Sequence, residues 1–244
     1  MAFPTYAGPL PRLTTEQMIE VDRLMIEEYG ILLMQMMENA GRCLALLAKD
    51  RFLQANPTGK KVVVLAGTGG NGGGAMVCAR RLAAWGAEVY VAVTHEDRLR
   101  EIPLHQFNIL KQMGLAIHQG VAPLPSDVAL IIDGIIGYSL RGAPRGPAAT
   151  FIQWANDQAA PVLSLDTPSG ISLTVGEAFE PVIKAAATLT LALPKVGLYQ
   201  EEMVPLRGEL YLGDISVPPA LYAEPSLKLA VASFFHLSDV LRIA

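Results

Sequence analysis

The chain has 244 residues, 51% of them hydrophobic and only 17% charged, a composition that suits a layered α/β protein with its central strands covered on both faces and excludes a disordered chain. A net charge of −4 with scattered Lys and Arg offers no basic field for a nucleic-acid backbone, so no nucleic-acid partner is expected. Cys43 and Cys78, each in a predicted amphipathic helix, are expected to be core residues; they form no disulfide framework and fit a reducing, cytoplasmic compartment. Residues 1–13 lack the basic start and apolar centre of a secretory signal, and no apolar run approaches the roughly 20 residues of a membrane helix, so no membrane partner is expected either.

"TTEQMIEVDRLMIEEYG" reads as a first helix, opened by Thr14 and Gln17 in capping-box spacing and closed at Gly30, with Met18, Val21 and Met25 on one face. "ILLMQMMENAGRCLALLAKDRF" reads as a second, with Met residues at core spacing around the polar trio Glu38, Asn39 and Gly41. From Lys61 the pattern alternates: strand 61–66, helix 74–85 stopped by Gly86, strand 88–93, helix 103–113 stopped by Gly114, strands 115–118 and 128–132. A helix at 147–158, strands at 161–165, 186–193 and 209–215, and a short C-terminal helix at 237–243 complete it. Apolar strands alternating with helices predict parallel βαβ units with helices on both sheet faces.

In such a sheet ligands bind outside the carboxyl ends of the strands, which directs attention to three loops. The first runs from Gly67 to Gly74, with glycine at six of its eight positions; Gly67, Gly69 and Gly72 satisfy G-x-G-x-x-G after a strand and at the start of a helix, which favours an anion. No Lys followed by Ser or Thr is present, which excludes an ATP-type phosphate loop. The second is "DGIIGYSLRGAPRG" from Asp133 and the third "DTPSG" from Asp166, so two carboxylates follow apolar strands and converge on one rim. With Asn71 and Ser169 they form an oxygen-rich set suited to a hard cation or a hydroxyl-bearing ligand, although each aspartate also fits a turn. His95, His105, His118 and His236 lie outside the three loops and are read as surface or satisfied residues.

These segments resemble the YjeF N-terminal domain family of NAD(P)H-hydrate epimerases. "GILLMQMMENAG" is similar to its second-helix signature, "GTGGNGGGAMVCARRL" to its G-x-G-N-N-G-G-D-G loop, "DGIIGYSLRG" to its D-x-x-x-G-T-G-L segment, and "PVLSLDTPSG" to its strand ending in D-x-P-S-G. "AAATLTLALPKVGL" resembles the later strand that ends in a lysine-containing turn. The resemblance implies a three-layer αβα Rossmann-like sandwich with a mostly parallel sheet. It implies one such domain over 1–244: an arm at 1–13, a helical pair at 14–55, a core at 61–216 and a C-terminal segment at 217–244. It further implies a homodimer and a hydrated NAD(P)H substrate whose R and S epimers are interconverted. Asn71, Asp133 and Ser169 would coordinate potassium. Substrate would meet Gly70, Asn71, Gly72, Gly73, Gly74, Gly137, Tyr138, Ser139, Leu140, Arg141 and Asp166.

The chain departs from the family pattern at four places. Gly74 replaces the loop aspartate, Gly70 the first asparagine, Tyr138-Ser139 the Thr-Gly pair, and Ser172 an acidic residue. Proton handling therefore falls to Asp166, with Lys195 either stabilising negative charge, contacting phosphate or sitting in a surface turn. Two other readings stand beside the epimerase: a binding or scaffold module of the same fold that has lost catalysis with the aspartate, and an ordinary dehydrogenase with Glu96 or Asp97 on the ribose.

Overall fold

In the computed structural model, which describes residues 3–121, 124, 125, 127–174 and 176–244, the Thr14 capping box forms as expected. Thr14 Oγ1 accepts from the Gln17 amide at 3.2 Å and Gln17 Oε1 from the Thr14 amide at 3.0 Å, starting helix α1 (Thr15–Arg23), which continues as one π-helical turn, Leu24–Glu28. Helix α2 (Leu33–Leu47) follows. The alternating core then runs β1 (Lys61–Ala66), α3 (Gly70–Ala84), β2 (Glu88–Val93), α4 (Glu101–Gln112), β3 (Ala116–Gln119), β4 (Leu130–Gly134), α5 (Pro147–Asn156) and β5 (Val162–Leu165). A small antiparallel hairpin, β6 (Ile171–Ser172) and β7 (Glu177–Ala178), precedes β8 (Ala187–Leu191), α6 (Val204–Arg207), β9 (Glu209–Gly213), α7 (Pro219–Tyr222) and β10 (Val240–Arg242).

The main sheet has the order β10-β9-β8-β5-β4-β1-β2-β3, parallel throughout except for β10. From β1 the chain winds outward through β2 and β3, then returns to place β4 on the other side of β1. The crevice outside the carboxyl ends of β1 and β4 is the switch point where ligands bind in this architecture. Successive residues of β1 face opposite layers: Val62 and Val64 join a core shared with α2, α3 and α4, and Val63 and Leu65 one shared with Phe151 and Ile152 of α5. That period-2 split is the three-layer αβα arrangement seen from one strand. Among the described residues no helix is long and apolar enough to cross a membrane.

Two expectations are corrected. The predicted C-terminal helix at 237–243 is instead β10, antiparallel to β9, with Val240 opposite Gly213 and Leu241 opposite Leu212. A short apolar run carries no decisive period, and the open edge of β9 supplies the backbone partners that decide for a strand. The edge continues into the N-terminal arm, where the Arg242 amide donates to the Pro4 carbonyl and the Tyr6 amide to the Arg242 carbonyl, each at 2.9 Å. The helix predicted from residue 74 starts at Gly70, because glycine's poor helix propensity is overridden by packing.

That packing explains much of the glycine run. A Cβ on Gly72 would collide with the Gly67 backbone, and a Cβ on Gly74 would lie 2.8 Å from Leu165 Cδ2. Helix α2 closes over the same surface: Glu38 accepts from Arg80 of α3 at 2.7 Å and from Gln106 of α4 at 3.0 Å, which makes the polar trio's acid a structural tie. Cys43 and Cys78 are free and buried; burial pushes the Cys43 thiol up to about 12 and raises Cys78 as well, so both are inert core residues. Leu165 Cδ2 must shift to admit a side chain at position 74, and Gly74→Asp also places a carboxylate among buried neighbours. Urea unfolding is expected to show a loss of about 2 kcal/mol or more, with no gain in catalysis; unchanged stability would mean that the space is open.

Candidate active site

The loops after β1, β4 and β5 border a cleft of about 670 Å³ at the switch point, covered by Met18, Asp22 and Ile26 from the first helical segment and Met36, Met37 and Ala40 from α2. Gly69 and Gly70 open onto it, and α3 begins there with no side chain capping its N-terminus. Because the Gly73 amide is the first to find a helical acceptor, the Gly69 carbonyl at 3.0 Å, the amides of Gly70, Asn71 and Gly72 are left as donors at the positive end of the helix. Arg145 adds a cationic side chain to the same cleft. Met, Ile and Leu side chains supply flat apolar walls, as in most small-molecule sites.

Asp166 ends β5 in the left-handed region at φ 64°, a conformation that costs a non-glycine residue about 1 to 3 kcal/mol and tends to mark functional sites. Its amide donates to the Leu189 carbonyl at 2.7 Å, and its Oδ1 receives Lys195 Nζ at 2.6 Å. Lys195 is 1% exposed, and its three ammonium hydrogens go to Asp166, Thr190 Oγ1 (3.1 Å) and the Leu191 carbonyl (2.7 Å). This corrects the surface-turn reading of Lys195 and leaves it no hydrogen for a phosphate. The N-terminal arm holds the lysine's backbone on both sides: Leu13 N donates to Pro194 O at 2.8 Å and Val196 N to Leu13 O at 3.0 Å.

Asp133 is wholly buried at the end of β4. It accepts from Ser164 Oγ (2.8 Å), Ser169 Oγ (2.5 Å), the Ser169 amide (2.9 Å) and the Ile135 amide (3.2 Å). Burial raises its carboxyl above the usual range despite these four donors, all of them neutral. Asn71 lies against the same loop: its side chain meets Gly137, and its Nδ2 donates to the Leu165 carbonyl at 3.1 Å. Of the three residues expected to coordinate a cation, Asn71 borders the cleft, while Asp133 and Ser169 are bonded to each other outside its lining.

Of the substrate contacts implied by resemblance, Gly70, Asn71, Gly137, Tyr138, Ser139 and Asp166 border the cleft. Gly72, Gly73, Gly74, Leu140 and Arg141 are absent from its lining: the three glycines are buried in the first turns of α3, Leu140 packs inward and Arg141 points to solvent. Glu96 and Asp97 also stand outside it, and Glu96 is engaged by Lys111 and Gln119, each at 3.3 Å, which argues against a ribose-binding role.

Three cleft residues were missed from sequence. His95 lies two residues beyond β2, where the strand-end rule points; Arg145 lies at the tail of the Asp133 segment; half-buried Asp22 follows Met18 by four residues on α1. Tyr138 donates its hydroxyl to Asp22 Oδ2 at 2.6 Å.

Residues 33–197 match the family described as YjeF-related protein N-terminus. A protein of Dehalogenimonas lykanthroporepellens named NAD(P)H-hydrate epimerase is 42% identical over 229 residues, 93% of this chain and 91% of that one. A Truepera radiovictrix protein of the same name is 35% identical over 84% of this chain and 89% of its own. The bifunctional NAD(P)H-hydrate repair enzyme Nnr of Salinibacter ruber is 33% identical over 86% of this chain, which spans 41% of that longer protein. The crystal structure of yeast YNL200c superposes with a TM-score of 0.83 at 23% identity, covering 96% of this chain and 100% of that one, a likeness of fold. The family match and the likeness to full-length relatives agree: the chain belongs to the YjeF-related N-terminal family.

Proposed function

We propose that this chain interconverts the R and S epimers of hydrated NAD(P)H. The observation that carries the reading is the ion-paired Asp166, with its left-handed backbone, in a switch-point cleft that also takes in the uncapped N-terminus of α3. A dinucleotide needs both: a place for the pyrophosphate, supplied by the first amides of α3 with Arg145, and a basic oxygen beside the ring carbon that bears the hydroxyl. Lys195 acts as a positioning residue, holding Asp166 by one hydrogen bond and the β8 end by the other two. The names of the relatives support an enzyme over a catalytically silent binding module, and the burial of Gly74 supports a packing role for that position.

The same reading assigns a potassium ion to Asn71, Asp133 and Ser169. Support comes from Asp133, a fully buried carboxylate whose charge meets only neutral donors. A bound cation would supply the missing positive charge and tie together the loops after β1, β4 and β5. A cytoplasmic homodimer completes the proposal; it is supported by the free buried thiols and by the exposed Ile19, Ile26, Leu32 and Met34 on the helical pair.

Separated R and S hydrates of NADPH, followed chromatographically, are expected to interconvert with the protein far faster than spontaneously, and Asp166→Asn to lower the rate by about a hundredfold or more. A wild type that leaves the spontaneous rate unchanged would sink the epimerase reading. For the cation, the melting temperature is expected to rise with potassium chloride over choline chloride at equal ionic strength, and the increment to vanish in Asp133→Asn. Equal melting in the two salts would remove potassium from the proposal.

A further inference from the structure

Asp166 is not the only carboxyl group in the cleft. Asp22 reaches it from α1, and among the described residues its one side-chain hydrogen bond comes from Tyr138, in the loop after β4. The pair joins two elements 116 positions apart in the chain and encloses the same space as Asp166. The two carboxyls stand in different surroundings: Asp166 is in an ion pair with Lys195, whereas no such pair reaches Asp22 among the described residues.

We propose that Asp22, held by Tyr138, is a second proton-handling group of the site and works as the acid partner of Asp166. The proposal rests on the epimerase reading above. In a hydrated nicotinamide the hydroxyl-bearing carbon is bonded to the ring nitrogen, so opening the ring needs a base at the oxygen and an acid at the nitrogen. Asp166 takes the hydroxyl proton; the C–O bond becomes a carbonyl as the C–N bond breaks, and its electron pair passes to nitrogen, which takes a proton from Asp22. Rotation presents the other carbonyl face. The nitrogen then attacks it and returns its proton to Asp22, while Asp166 gives its proton to the new hydroxyl, so nothing is consumed. Two carboxyls in unlike surroundings, one paired with a cation and one with a neutral hydroxyl, suit such a division of labour.

The groups facing Asp22 agree with this role. Burial, the largest influence, and the charge of Asp166 push its carboxyl up; the Tyr138 hydroxyl and the charge of Lys195 pull it down; the net is upward. His95 and Arg145 complete the ionisable lining of the cleft. Because the acid form is the working form, turnover should fall as pH rises through the Asp22 range, which gives the rate profile an alkaline limb.

The test is kcat and KM for separated NADPH hydrates across pH, with melting temperatures, for wild type, Asp22→Asn and Tyr138→Phe. Asp22→Asn is expected to lower kcat by about a hundredfold with KM within a few-fold, and to lose the alkaline limb. Tyr138→Phe removes a hydrogen bond that lowers the Asp22 carboxyl, so its limb should move to higher pH. A purely structural role would change melting and KM and leave the limb in place. The inference is overturned if folded Asp22→Asn keeps the wild-type kcat and limb. Should Asp22→Asn not fold, an unmoved limb in Tyr138→Phe overturns it equally. An inactive wild type removes the epimerase reading and this inference together, whereas an active wild type with unaffected variants removes this inference alone.

Discussion

Lys195 and Asp166 meet at 2.6 Å with almost no access to water, and most of what surrounds the cleft is arranged around that contact. Taking two such ions out of water costs several kcal/mol each, and their attraction offsets this only when geometry is good and the remaining hydrogens are satisfied. Here they are: Thr190 and the Leu191 carbonyl take the other two ammonium hydrogens, and the arm at Leu13 brackets the lysine backbone. The left-handed backbone of Asp166 is held by the same neighbours, since its amide is committed to β8. A buried ion pair of this kind is weak evidence of stability; what it does here is fix a left-handed carboxylate at the cleft.

Two carboxylates stand at the ends of neighbouring strands in different surroundings. Asp133 meets only neutral donors and is not part of the cleft lining, while Asp166 meets a cation and borders it. Strand pairing accounts for the difference. β4 lies between β1 and β5, so its end is closed by Ser164 and Ser169 of the next strand and loop, whereas the end of β5 is met by β8 and the lysine turn beyond it.

The glycine run also divides into two parts with different physical causes. Gly69 and Gly70 leave room for a ligand at the start of α3, while Gly72 and Gly74 let the helix lie against the backbone of its own loop and against Leu165. A binding loop and a packing surface are written in one stretch of the same residue. Of the loop glycines, Gly67, Gly69 and Gly70 border the cleft.

Most of the framework was legible in the residues because its signals are local. β1 and β2 fall at the predicted positions, the Thr14 box forms, and the two aspartates stand at strand ends as the hydrophobic runs required. Such features depend on backbone periodicity, capping and turn chemistry within a few residues. What the sequence could not decide depends on groups distant in the chain. The residues Val240–Arg242 become a strand because β9 has an open edge, and Lys195 is enclosed by Asp166, Thr190 and Leu191, residues 29, 5 and 4 positions before it. Asp22 becomes a cleft residue only when α1 is laid against the loop that carries Tyr138. Burial, and with it proton affinity, belongs to the assembled environment of a side chain, so tertiary structure alone determined which carboxylates this protein seals, pairs or leaves facing a ligand.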